Sequence, residues 1–494
     1  MKRFSQLIVA TAFASTLFSC STNSAVTTTQ DVAPPQPVLP VPTEAQLAWH
    51  EMELNAFIHF TTNTFTDLEW GYGDESPAIF NPSQLDAEQW VRTLKEAGFK
   101  GVILTCKHHD GFALWPSKYT EHSVKNSPYK NGQGDVVKEV ADACRKHGLK
   151  FGVYLSPWDR NRADYGQPSY VEYYRNQLQE IFTSYGPIFE MWFDGANGGD
   201  GYYGGAREKR NIDRKTYYDW PTTLRMVEGL QPEPKVLFFS DAGPDIRWVG
   251  NEKGFVSETN WNTISNDTLY AGQAGIEGLL NTGAEDGDKW IPAEVDVSIR
   301  PGWFYHAKED SLVKTPEKLF DIYLTSVGRG STLLLNVPPD KRGLIHERDV
   351  KALQEWRQLL DQEFKNNLAA KAKVKANSFR GNANAYAAAN VTDGDKETYW
   401  ATDDEVTSGT LEVDLGNVQP VKYVLLQEYI RLGQRVKAFT LEVWQDNAWK
   451  PVANATTIGY KRILKLDNPV HTDKIRINIT DAKASPVISN VEVY

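Results

Sequence analysis

Between residues 44 and 365 short apolar runs alternate with amphipathic stretches. Eight runs read as strands: 55–60, 101–106, 151–156, 188–194, 236–241, 254–258, 294–299 and 332–337. Helical patterns separate them, as in AEQWVRTLKEA (87–97) and VVKEVADACRKH (136–147), each followed by the glycine that ends many helices. Eight strands alternating with helices over about 300 residues predict an α/β fold, a (β/α)8 TIM-like barrel rather than an open doubly wound sheet. No glycine-rich dinucleotide or phosphate loop follows the first strand. From residue 372 the helical period stops. Alternating strands follow at 411–415, 421–429, 439–444, 463–466, 474–479 and 490–494, predicting an antiparallel β-sandwich of jelly-roll type over 372–494, after a barrel over 44–368.

Composition narrows the function. The chain has 494 residues, enough for two or three domains, and 41% of them are hydrophobic, which excludes disorder as the main state. It carries 15 Trp, 22 Tyr and 21 Phe, flat apolar rings that can stack on sugars or fill a core. The net charge of −11 disfavours nucleic acid and anionic membranes as partners.

The first twenty residues read as a targeting segment. Lys2 and Arg3 precede a short apolar run, too short to span a bilayer. It ends in Leu17-Phe18-Ser19-Cys20, which resembles a bacterial lipobox and implies cleavage before a lipidated Cys20; an ordinary secretory signal is the alternative. Residues 21–43, rich in Ser, Thr, Val and Pro, read as a flexible tether. The expectation is an exported lipoprotein, anchored only through Cys20. No acidic run follows that cysteine, which points to the periplasmic face of the outer membrane rather than the cell surface. Cys106 and Cys144 fall within apolar patterns and read as buried free thiols, although an exported pair can also form a disulfide.

The candidate chemistry lies at the predicted strand ends, where a barrel of this kind places its catalytic groups. The fourth strand stops at Trp192-Phe193-Asp194-Gly195, a carboxylate on an abrupt turn. Asp194 reads as a glycosidase nucleophile, or more plainly as a turn cap. His59, His108 and His109 cluster at the first two strand ends. They suit sugar hydroxyls as neutral donors and acceptors. Metal ligation lacks any HExxH-type spacing to support it, and satisfied core histidines are the third reading. Retaining glycoside hydrolysis needs two carboxyl groups about 5–5.5 Å apart. Asp241, Asp245, Glu252, Glu258 and Glu294 are candidates for the second, and spacing does not choose among them.

Seven segments carry a resemblance. FIHF (57–60), EWG (69–71), KHHDGF (107–112), WFDG (192–195), SDAGPD (240–245), RWVGNE (247–252) and RPGW (300–303) resemble, in order, the α-L-fucosidases of glycoside hydrolase family 29, and most closely the subgroup preferring α-1,3/1,4-linked fucose. The resemblance implies a retaining exo-enzyme acting on fucosylated, Lewis-type glycans without a catalytic cofactor. It assigns Asp194 as nucleophile and Glu252 as acid/base, with Glu258 as the alternative given the glycine-rich insert at 195–211. It places His59, Glu69, Trp70, His108, His109, Tyr154, Trp192 and Trp303 around the fucose. An α-galactosidase-like enzyme on the same barrel, or an inactive lipid-anchored glycan-binding protein, are the competing readings. The second half resembles discoidin-like, family 32 carbohydrate-binding domains through 390–395 (NVTDGD), 398–400 (TYW), LEVDLG and the closing VEV. That likeness implies a structural calcium ion held by Asp393, Asp395, Thr398 and Glu492; a plain Asp-Gly turn is the simpler reading.

Overall fold

The computed structural model describes residues 32–494. The lipobox-like segment with Cys20 lies outside them. Eight parallel strands close a barrel: β1 (Leu54–Ile58), β2 (Gly101–Lys107), β3 (Lys150–Leu155), β4 (Glu190–Trp192), β5 (Leu237–Ser240), β6 (Ile246–Trp248), β7 (Ala293–Ser298) and β8 (Thr332–Asn336). Neighbours in sequence are neighbours in the barrel, and β8 closes on β1 with Leu54 opposite Leu333. Helices Ala87–Glu96, Val136–His147, Pro168–Ser184, Pro316–Thr325 and Glu347–Glu363 surround it. The apolar layer between strands and helices is the main core. Cys106 and Cys144 are buried there as free thiols.

The sixth strand is not the expected one. It is Ile246–Trp248, and only residues 241–245 connect it to β5, with no helix between. Arg247 at its centre hides the apolar signal. This arginine is fully buried and donates to the carbonyls of Leu280 and Trp261 at 2.9 Å, to that of Ile291, and to Asn260 Oδ1 at 3.2 Å. Backbone oxygens thus replace water, and the low-dielectric surroundings pull its pKa down to about 9. The expected strand 254–258 is an extended return segment instead, bonded to Thr325 at the end of helix Pro316–Thr325. Consequently the GNE sequence follows a barrel strand directly, at its C-terminal end.

Helix α1 (Glu44–His50) plugs the opposite mouth. A capping box between Thr43 and Gln46 starts it. Gln46 then bonds the carbonyls of Asp245 and Trp290 at 2.9 and 2.8 Å, and Trp49 reaches Glu190 inside the barrel at 2.9 Å. Glu190 and Glu294 face each other across the interior, both fully buried. Burial pushes Glu190 up to about 8, and burial followed by the proximity of Glu190 pushes Glu294 well above the carboxylate range.

The second domain is antiparallel: β9 (Lys373–Ala376), β10 (Trp400–Ala401), β11 (Gly409–Glu428), β12 (Val436–Gln445), β13 (Ala448–Ala455), β14 (Arg462–Ala482) and β15 (Val487–Val493). The long strands β11 and β14 shift register near Asp414 and Val421, bends that fold the sheet over its own core in the manner of a sandwich. Trp400 is part of that core. β13, between 448 and 455, has no counterpart in the expected strands.

The part of the expected tether among the described residues lies against the second domain. Its carbonyls accept from Arg380 (Ala33, 2.7 Å), Arg435 (Gln36, 2.6 Å) and Tyr386 (Val32, 3.0 Å), while Val38 donates to Leu432 at 2.9 Å. An extended proline-rich backbone leaves its carbonyls unpaired, and the arginines of the second domain take them. The two domains also join directly. Gln434 brackets Asn260 and Asn262, and Arg462 donates to the Glu258 carbonyl at 2.6 Å.

The Glu190–Glu294 pair yields a stability prediction. A carboxyl whose folded pKa lies near 8 against an ordinary 4.5 is stable in the fold below pH 4.5, and its contribution is lost as pH rises through 8. Glu190→Gln removes that loss. Its Tm should exceed that of the parent at pH 8 by roughly several degrees, with the gap closing near pH 4.5. Scanning calorimetry at the two pH values reads it; an equal difference at both would contradict the neutral-pair reading.

Candidate active site

The C-terminal ends of the barrel strands surround a cavity of about 480 Å3. Its lining includes Phe57, His59, Trp70, His108, His109, Tyr154, Trp192, Asp194, Asp241, Trp248, Glu252, Asp296 and Trp303. Every residue anticipated for the site is therefore on the wall except Glu69.

Asp194 follows β4 at once. Its Oδ1 accepts from the Ala196 N–H at 2.6 Å and its Oδ2 from the Tyr154 hydroxyl at 2.8 Å. Burial raises its pKa, and these two donors act against that rise. Gly195 is required next to it: a Cβ there would lie 2.1 Å from Asp241 Oδ2. Asp241, at the end of β5, accepts from Gly272 N at 2.7 Å, and burial with the nearby Asp194 charge lifts it to about 6.

The histidines are neutral, and their tautomers follow from their partners. Ser156 Oγ donates to the Trp158 carbonyl at 2.7 Å, so it must accept from His109 Nδ1, also at 2.7 Å. That leaves His109 Nε2 bare, 3.7 Å from Asp194 Oδ2. Asn336 works the same way on His59. Its amide nitrogen donates to Ser298 Oγ at 2.9 Å and the Trp303 carbonyl at 2.8 Å, so its oxygen accepts from His59 Nδ1 at 2.9 Å. Burial drives both rings down to about 3. His108 packs on His109 with ring centroids 4.1 Å apart, and burial likewise lowers it. Two bare ring nitrogens facing a cavity are acceptors for hydroxyl groups. The metal-ligand alternative is not formed: among the described residues no three His, Cys, Asp or Glu side chains are grouped to hold an ion.

Aromatic rings make the remaining wall. Trp192 stacks on Phe239, 4.0 Å between centroids, and its indole N–H points away to Glu294 at 3.1 Å. Trp70 is half exposed over His109, on a loop held by Arg160 through the carbonyls of Trp70 and Gly71. Trp248 donates to Asp296 at 2.8 Å. Trp303 lies across from them and meets Glu252 Oε2 through its indole N–H at 3.3 Å.

Glu252 is exposed at the rim. Surrounding protein raises its pKa, the Trp303 indole opposes this, and the charges of Asp194 and Glu69 add to the rise. The other candidates separate by position. Glu294 is in the barrel interior below Trp192. Asp245 bonds Phe238 N near the N-terminal end of β5. Glu258 pairs with Arg329, just ahead of β8 on the face opposite the cavity. Only Asp241 and Glu252 among the five reach the cavity. The insert after Asp194 forms its own hairpin, Gly199–Gly201 with Glu208–Arg210, and leaves Glu252 in place.

Glu69 braces the neighbouring loop. Its oxygens accept from Trp303 N (2.8 Å), Phe304 N (3.2 Å) and His306 Nε2 (2.6 Å), so it carries the loop on which Trp303 stands. The residues anticipated for calcium make local hydrogen bonds. Asp393 accepts from Asp395 N and Thr398 Oγ1, both at 2.8 Å, while Glu492 accepts from Asn490 and Tyr494. Asp393, Asp395 and Thr398 thus close one turn.

A fucosidase family model, described as Alpha-L-fucosidase, matches residues 36–363. The chain belongs to the α-L-fucosidase family. A second model, the F5/8 type C domain, matches residues 373–493. Alpha-L-fucosidase 1 of Arabidopsis thaliana is 42% identical over 93% of this chain and 88% of its own. Among solved structures, a glycoside hydrolase 29 family member from an unknown rumen bacterium is 48% identical with a TM-score of 0.83, covering 93% of this chain and 78% of its own. A Ruminococcus gnavus GH29 fucosidase in complex with fucose is 35% identical with a TM-score of 0.84, covering 94% and 97%. The chain is thus an α-L-fucosidase, a glycoside hydrolase of family 29.

Asn336, Ser156, Asp241 and Asp296 complete this fucosidase site. Asn336 links His59 to the Trp303 loop, so its loss misplaces two walls at once. Asn336→Ala should keep its fold and lose roughly 100-fold in kcat/KM on a fucoside, mostly through KM. Steady-state kinetics beside a thermal melt checks this, and an unchanged KM would show that His59 and Trp303 hold position without it.

Proposed function

We propose that this fucosidase is a retaining exo-enzyme that releases terminal α-1,3/1,4-linked L-fucose from Lewis-type glycans. The observation that carries the mechanism is the pairing of environments in one cavity: Asp194 anchored by Tyr154 and Ala196, and Glu252 at the rim with its pKa pushed up. An Asp194 oxygen attacks the anomeric carbon as the bond to the leaving oxygen breaks. Glu252 gives that oxygen its proton, and a glycosyl ester of Asp194 results. Water then enters, Glu252 takes a proton from it, and its oxygen displaces the carboxylate, so the sugar leaves with its original anomeric configuration. The bare nitrogens of His59 and His109 accept from ring hydroxyls, and the aromatic wall suits the C6 methyl group. The linkage preference is supported by the likeness of RWVGNE to that subgroup, and a lipid-anchored, periplasm-facing location by the lipobox-like Cys20.

Proton NMR on a Lewis-type trisaccharide and on 2′-fucosyllactose tests this reading. Free fucose should appear from the first substrate, as the α-anomer before mutarotation. Asp194→Ala and Glu252→Ala should each stay folded and lose at least about 10⁴-fold in kcat. Initial release of the β-anomer would overturn retention, and preference for 2′-fucosyllactose would overturn the linkage. Full activity of the Glu252 variant on the oligosaccharide would overturn its role.

A further inference from the structure

His306 was not anticipated from the sequence, and nothing in the proposed mechanism uses it. Its side chain is 4% exposed. Its two ring nitrogens face two different carboxylates at hydrogen-bond distance: Nδ1 meets Asp67 Oδ1 and Nε2 meets Glu69 Oε1, each at 2.6 Å. Carboxylate oxygens only accept, so both nitrogens must carry hydrogen, and such a ring is a cation. Most buried histidines of this chain are neutral; this one is held charged between two acids from the β1 loop.

The second acid leads into the catalytic pocket. Glu69 accepts from the successive N–H groups of Trp303 and Phe304, and it packs so closely on the loop that a Cβ at Gly302 would come within 2.4 Å of Oε1. The indole of Trp303 in turn meets Glu252. The far end of the loop is fixed separately: Arg300, fully buried, forks onto Asp349 and also reaches Asp310. Arg300 secures one end whatever His306 does, and His306 with Glu69 secures the end that bears Trp303.

We propose that His306 is a positioning residue for the fucosidase reaction: bridged between Asp67 and Glu69, it sets the Trp303 loop over the pocket and thereby the indole donor that meets Glu252. This rests on Trp303 walling the fucose site and on Glu252 being the acid/base. The charged groups around the ring are Asp67 and Glu69, with Glu309 bonded to Gly302 N, and Lys308 and Lys341 acting on Asp67. Burial pulls the His306 pKa down, but the two carboxylates outweigh it, and the net movement is upward from 6.5. The sign follows. The bridge is complete below pH 6.5 and is lost as pH rises through the elevated pKa of the folded state. Above that point one ring nitrogen loses its hydrogen and faces a carboxylate with no donor, so the loop loosens and KM for the fucoside climbs.

The test is fucose affinity by calorimetry, and KM and kcat across pH, for the parent enzyme, His306→Gln and Asp67→Asn. Glutamine keeps one N–H-bearing group and does not titrate. His306→Gln should weaken fucose binding and raise KM by about tenfold while kcat falls by less than about threefold, and the alkaline rise of KM should vanish. Asp67→Asn, at a half-exposed position, should move that rise to lower pH by removing one of the two raising charges. If the acid/base assignment is wrong, Glu252→Ala keeps its kcat while His306→Gln still weakens fucose binding. If His306 is only part of the scaffold, its glutamine variant melts earlier but binds fucose and shows the alkaline KM rise as the parent does. That result, or an unmoved rise in Asp67→Asn, overturns the proposal.

Discussion

Four indole N–H groups are each assigned to one acidic side chain along the barrel. Trp49 donates to Glu190, Trp192 to Glu294, Trp248 to Asp296 and Trp303 to Glu252. A barrel interior packed with carboxyl groups would otherwise be a severe electrostatic load, because isolated buried carboxylates are expensive. The structure divides that load by depth. At the bottom, burial holds Glu190 and Glu294 neutral, and the tryptophans complete their hydrogen bonding. At the top, Asp194 receives two donors that oppose the rise imposed by burial. Glu252 stands exposed at the rim, and surrounding protein with the charges of Asp194 and Glu69 raises its pKa. The proposed division of labour between two carboxyl groups rests on this gradient, and three of the same tryptophans, Trp192, Trp248 and Trp303, also line the cavity.

Much of this was legible along the chain because a parallel barrel writes its function at strand ends. Seven of the eight strand positions, the terminal Asp194 and the three histidines followed from period and punctuation. The sixth strand did not, since Arg247 occupies its centre and is satisfied by carbonyls from distant segments that no local pattern reveals. The neighbouring run at 254–258 reads like a strand, yet it bonds the end of a helix at Thr325 rather than a barrel strand. Glu69 was placed in the pocket by its motif, and no local pattern shows that three N–H donors from the Trp303 loop also reach its oxygens. Asp296 and Asn336 do carry a signal in the sequence: Glu294, Asp296 and Ser298 alternate on one face of β7, and Asn336 is the polar end of an apolar strand. Polar residues at alternating positions of a barrel strand point inward, and those nearest its C-terminal end reach the cavity.

The tether shows the opposite failure. Composition alone argues for flexibility between 21 and 43, yet from Val32 the chain lies on the second domain because Arg380 and Arg435 donate to its backbone carbonyls. Those arginines, with Gln434 and Arg462, make the discoidin-like domain a fixed companion of the barrel. Its contact at Glu258 lies on the face away from the cavity, and no described residue of the domain lines the pocket.

The most direct measurement is covalent trapping. A 2-deoxy-2-fluoro-L-fucosyl fluoride slows both steps of a double displacement and slows hydrolysis of the ester more, so the glycosyl-enzyme accumulates. Mass spectrometry of the intact protein should show one added fluorofucosyl group, and peptide sequencing should place it on Asp194. Labelling of Asp241 or Asp296 instead, or rapid turnover with no adduct at any carboxylate, would contradict the central role given to Asp194.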